Sequence, residues 1–159
     1  MTRRLTKMPP IHLSMHGLLC AIPLLLSSVP GQAAPMDEKP FADHKVVLQI
    51  SDDDPAKQTL VLNVANNVIK HYGADKVDVE IVAFGPGLRL LFAENANAGR
   101  VGALAEHSGV RFAACENTIA AMAGQLGHAP ALNPRATPVA AGVVRIVDLT
   151  DRGYTLIKP

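Results

Sequence analysis

Cys115 is the residue with the most chemistry open to it. It stands in Gly109-Val-Arg-Phe-Ala-Ala-Cys-Glu-Asn-Thr118, where an apolar run that reads as a strand meets a run, opened by Glu116, Asn117 and Thr118, that reads as a helix. Ligands and reactive groups gather at such carboxyl ends in open α/β sheets. The free N–H groups of a helix start favour an anion, a thiolate included. The magnitude is limited. A helix end contributes about 0.3–1 kcal/mol at the surface, whereas one pKa unit corresponds to about 1.4 kcal/mol. Arg111 shares a strand face with Cys115, but four residues along a strand span about 13 Å, beyond a Debye length. Strong activation of this thiol therefore requires groups distant in sequence or from another subunit. The alternative is a cysteine that only packs, since free Cys is among the most buried residue types.

Other candidates are weaker. Asp52, Asp53 and Asp54 are consecutive, lack the spacing of a calcium loop, and read better as the cap of a helix than as metal ligands. Gly85-Pro86-Gly87 is either a tight turn or a place where backbone approaches an anion at a helix start. His44, His71, His107 and His128 show no paired metal-ligand spacing, so no metal is expected. A Gly-x-Ser-x-Gly elbow and a Walker loop are both missing, and no cofactor is implied.

The elements that must position Cys115 follow a leader. Arg3, Arg4 and Lys7 precede an apolar stretch at 17–26, which is followed by Gly31-Gln32-Ala33, small residues at the −3 and −1 positions of a cleavage site. The apolar stretch is about half the roughly 20 residues a spanning helix needs, so no stable membrane anchor is expected. The chain thus reads as a signal peptide over 1–33, cleaved near Ala33, a flexible arm over 34–44, and one domain over 45–159. Cys20 falls in the leader, with Leu19 before it where lipid attachment wants a small residue. The exported, periplasmic protein would keep Cys115 alone in an oxidising compartment, which is unusual for a free thiol.

Composition supports a packed domain: 48% of the 159 residues are hydrophobic and 18% charged. With a net charge of +1 and no basic run, a nucleic-acid partner has no electrostatic footprint. Aromatics at 4% and no Trp exclude a stacking platform. An apolar, β-branched run at 45–51 and shorter runs at 77–84, 110–114, 137–140 and 154–158 read as strands. Between them, stripes at helical spacing run over 56–72, 88–93 with 101–107, and 116–126. The 141–151 stretch fits helix or strand by pattern and favours helix by length. In Val77-Asp-Val-Glu, acids alternate with apolar residues, so the strand is expected to leave a solvated edge for the interior. Strands separated by helices imply crossovers and a mostly parallel sheet covered on both faces: an α/β fold.

Four stretches together resemble the DsrE/DsrF-like family of sulfur relay: Val47-Leu-Gln-Ile-Ser-Asp-Asp-Asp-Pro55, Val82-Ala-Phe-Gly-Pro-Gly-Leu88, Gly109 to Thr118, and Gly153-Tyr-Thr-Leu-Ile-Lys-Pro159. The resemblance implies a three-layer α/β/α domain with a five-stranded parallel sheet, assembled as a homo-oligomer, a trimer or hexamer. It also implies that Cys115, which matches the cysteine of the exported-type members, accepts sulfur as a persulfide and passes it on. On this reading the N–H groups of Asn117 and Thr118 stabilise the negative sulfur, and Gly85, Gly87 and Asp54 line the same crevice. The competing reading is a non-enzymatic oligomeric module that binds a small ligand or protein, with Cys115 structural.

Overall fold

The computed structural model describes residues 38–159; the leader, its cleavage site and the first residues of the arm lie outside the described residues. Five strands, β1 (His44–Ile50), β2 (Val77–Ala83), β3 (Arg111–Cys115), β4 (Ala136–Val139) and β5 (Thr155–Ile157), form one sheet in the order β4-β3-β2-β1-β5. Every adjacent pair is parallel. The helices are α1 (Pro55–Tyr72), α2 (Ala98–Ser108), α3 (Glu116–Leu126) and α4 (Gly142–Asp151), with a 3-10 helix at Gly85–Leu91. The fold is three-layer α/β/α, as a chain of alternating strands and crossover helices requires.

The layers differ in what fills them. Alternation sends Val46, Leu48 and Ile50 of β1, Val79 and Ile81 of β2, and Phe112 and Ala114 of β3 to one face, under α1, α2, α3 and the 3-10 helix. Val61, Leu62, Ala65 and Ile69 form the buried stripe of α1. The opposite face is covered by α4, whose Ile146 and Leu149 meet Val47, Val82, Ala113 and Tyr154. Helix α4 leaves Val143, Val144 and Val147 more than half exposed.

Strand β2 corrects the sequence reading. It is the central strand and all seven of its residues are buried, Asp78 and Glu80 fully. The acid-bearing half of β2 is not a solvated edge, and its acids are neutralised from neighbouring elements. Arg111 of β3 donates through Nη1 to Asp78 and through Nε to Glu80, the latter at 3.1 Å. Arg145 of α4 donates Nε and Nη2 to Glu80 at 2.7 Å each. The Tyr154 hydroxyl donates to Asp78 Oδ2 at 2.6 Å. Such a network tolerates burial only because each member is partnered. Burial opposes the charge on Arg111, but Asp78 and Glu80 outweigh it and raise its pKa.

The arm is also tied down where it is described. Lys39 donates its backbone N–H to Asp78 Oδ2 at 3.0 Å, and its ammonium group to the carbonyls of Ala74 at 2.5 Å and Ser108 at 2.6 Å. Glu38 pairs with Arg152. From Glu38 onward the arm is therefore a docked strap and not a free tether.

Candidate functional site

Cys115 ends β3 and is the N-cap of α3, with extended backbone (φ −66°, ψ 114°). Its side chain points to the α4 side of the sheet, by alternation with Phe112 and Ala114 on the other face. There it meets the start of a second helix: a Cβ placed on Gly142, the first residue of α4, would lie 3.3 Å from the Cys115 Cβ and 3.0 Å from that of Phe84. Only glycine allows this approach without displacing a neighbour.

Two helix N-termini thus converge on one sulfur. Neither α3 nor α4 has a conventional side-chain cap hydrogen bond, and the first N–H groups of any helix lack an intrahelical partner. Burial disfavours the thiolate, yet the Thr118 hydroxyl and the N–H groups of Gly142, Thr118 and Asn117 reverse the balance, and the Cys115 pKa falls below its ordinary value. Gly142 lies 27 residues further along the chain (142 − 115) and provides the distant donor that a single helix end could not replace. The sulfur is shielded, with Cys115 only 5% exposed. Among the described residues Cys115 is the free cysteine.

A cleft of about 350 Å³ opens beside this junction, lined among others by Asp53, Gly85, Arg89, Asn117, Thr118 and Met122. Gly85 and Thr118 are joined directly: the Gly85 N–H donates to Thr118 Oγ1 at 3.0 Å. Gly85 has φ +54°, a conformation glycine adopts without penalty. Arg89 contributes a cation across the cleft, about half exposed and only loosely paired with Asp53 at 4.0 Å.

Of the sequence candidates, Asn117, Thr118 and Gly85 line this cleft, whereas Cys115 lies beside it and does not line it. Gly87 and Asp54 do not line the cleft. A Cβ on Gly87 would fall 2.4 Å from the Ile50 carbonyl oxygen, so this glycine lets the 3-10 helix press on the end of β1. Asp54 caps α1, accepting the Ala56 N–H at 2.7 Å. Its neighbour Asp53 faces the cleft instead. Sequence reasoning missed Gly142, Phe84, Arg89 and Asp53; the Ala140-Ala141-Gly142 run of small residues before a helical stripe was the available signal for the first. No group of three or more His, Cys, Asp or Glu that could hold a metal occurs among the described residues. No helix among them is long and apolar enough to cross a membrane.

Fold and site define a small parallel α/β/α domain with a buried cysteine at the meeting of two helix starts. No family model matches the chain, and no curated protein does. Among solved structures it is similar to the protein of unknown function MTH1491 from Methanobacterium thermoautotrophicum, at 30% identity and a TM-score of 0.66, over 74% of this chain and 100% of that one. The chain belongs to the same family as that archaeal protein.

Proposed function

We propose that the protein is a periplasmic sulfur carrier of the DsrE-like kind that holds sulfane sulfur as a persulfide on Cys115. The observation that carries this reading is the convergence of the α3 and α4 N-termini and the Thr118 hydroxyl on one sulfur. A thiolate is the nucleophile in sulfur exchange. The Cys115 thiolate attacks the outer sulfur of a donor R–S–SH; a new S–S bond forms, the donor S–S bond breaks, and R–S⁻ leaves with the electron pair. The product, Cys115–S–SH, is regenerated to thiolate when an acceptor thiolate takes the outer sulfur in the same way. No net oxidation occurs and no cofactor is required. The donors that favour the thiolate also favour the persulfide anion, which is the resting form a carrier needs.

Asn117, Thr118 and Gly85 border the cleft that opens beside the Cys115 junction. The arrangement suits a homo-oligomer, a trimer or hexamer: the exposed Val143, Val144 and Val147 of α4 are apolar surface that a second copy would cover. Export through a leader cleaved near Ala33 places the carrier outside the cytoplasm. The experiment is loading with a sulfane-sulfur donor; the parent takes up one reducible sulfur per chain and Cys115→Ser takes up none. The low exposure of Cys115 favours a second reading, a binding module in which this residue only packs. That reading requires Cys115 to resist thiol reagents until the protein unfolds.

A further inference from the structure

We infer that the cleft between α3 and the 3-10 helix is a binding site for a small zwitterion, a free α-amino acid with a flexible apolar side chain. Its volume of about 350 Å³ is at the low end for small-molecule sites. Its walls follow the carboxyl ends of three neighbouring strands: Asp53 after β1, Arg89 in the 3-10 helix after β2, and Asn117 in the first turn of α3 after β3. Open parallel sheets bind ligands at that end. Binding here does not depend on what Cys115 does, because Cys115 lies beside the cleft and does not line it.

Arg89 sets the anionic half of the ligand. Arg100, Arg111, Arg135, Arg145 and Arg152 each donate a hydrogen bond to another side chain. Among the described residues the Arg89 guanidinium finds no such acceptor. Its Cζ lies 5.8 Å from the centroid of the Phe92 ring, and its Nε stops 4.0 Å short of Asp53 Oδ2. A planar fork of N–H groups at a cavity wall suits a carboxylate, which it takes with two parallel bonds.

Asp53 sets the cationic half. Its carboxylate faces the same cleft and accepts no hydrogen bond from a described residue. It repels a phosphate or other dianion and offers a place to an ammonium group. An α-amino acid carries both charges on one carbon. Inserted into the loose pair, it replaces one exposed contact, of a kind that stabilises little, by two close ones. The rest of the lining suits an apolar side chain: Pro86 is rigid, and Met122 adapts its shape to what it covers. Asn117 and Gln125 are eight residues apart on α3, so this wall is about 12 Å long and leaves room beyond the charged groups.

The test is amide NMR of the isotope-labelled protein titrated with L-methionine, N-acetyl-L-methionine and L-methionine amide. L-methionine is expected to give saturable shifts at the Gly85 and Thr118 amides and at the Arg89 side chain. Each blocked probe lacks one charge and is expected to bind about tenfold more weakly or worse. Arg89→Gln is expected to lower methionine affinity about tenfold or more, and Asp53→Asn to abolish the preference over N-acetyl-L-methionine. Both side chains are about half exposed or more, so both variants are expected to melt close to the parent. No saturable shift with L-methionine, equal affinity for N-acetyl-L-methionine, or parent affinity in Arg89→Gln would each overturn the assignment. No sulfur donor is present in the titration, so a failed carrier reading and a failed cleft assignment give different results.

Discussion

Arg145 grips the carboxylate of Glu80 with both sides of its guanidinium, Nε and Nη2 each 2.7 Å from an oxygen. Arg145 lies one turn after Gly142, the α4 residue whose N–H faces Cys115. The forked pair therefore fixes the height of α4 over the sheet and, with it, a donor to the sulfur. Bidentate pairing adds geometric definition as well as energy. A buried charge pair that stabilises little in net terms thus positions the site.

Replacing Glu80 with glutamine removes the charge shared by Arg111 and Arg145 and leaves two guanidinium groups under-neutralised. Breaking one side of a buried pair typically costs about 3–5 kcal/mol. Glu80→Gln is expected to lower urea stability by that order and to raise the alkylation midpoint of Cys115 as α4 loosens. Unchanged stability with an unchanged midpoint would show that the pair does not hold α4.

Two glycines near the site are expected to differ. Glycine to alanine within a helix normally gains up to about 1 kcal/mol. At Gly142 the new methyl would press on the Cβ of Phe84 at 3.0 Å, and Gly142→Ala is expected to lose about 1–2 kcal/mol. At Gly87 the methyl would meet the Ile50 carbonyl carbon and oxygen at 2.6 and 2.4 Å, backbone of the strand next to the centre of the sheet. Gly87→Ala is expected to lose more, about 3 kcal/mol or above. Thermal melts read the order, and a less stable Gly142→Ala would contradict it.

The sequence shows the strand-to-helix junction at Cys115 because both halves are local: a short, mostly apolar run, then a helix opening. It also shows the fold class, since β1, α1, β2 and α3 each have a clear period. It misleads at Asp78 and Glu80, whose alternation with valines looks like a solvated edge. Their partners Arg111 and Arg145 lie 31 to 65 residues away, and no local pattern names them. Helix α4 was ambiguous for a related reason: Val143, Val144 and Val147 extend its apolar surface beyond the stripe that it buries. The arm looked free because Lys39 is a single polar residue whose anchoring carbonyls belong to three other segments.

The depressed thiol pKa also makes stability depend on pH. In the unfolded chain Cys115 titrates near its ordinary value of 9.0, and in the folded chain below it. Its stabilising contribution is fully present above the unfolded value and is lost as pH falls through the folded value. Between the two the parent gains up to about 1.4 kcal/mol per pH unit relative to Cys115→Ser. Urea unfolding of both chains under reductant, from pH 6 to 10, is expected to show that gap widening with pH up to about 9 and then levelling. A gap that is constant or narrows with pH would mean that the donors around Cys115 do not favour its thiolate.

The most direct measurement is the intact mass of the protein taken from its own compartment without reductant, before and after thiol reduction. Sulfur carriage requires a fraction about 32 Da heavier, removed by reductant, mapping to Cys115 and missing from Cys115→Ser. A single unmodified mass, with a thiol that neither loads from a sulfane-sulfur donor nor alkylates before unfolding, would contradict carriage and leave Cys115 as a packing residue.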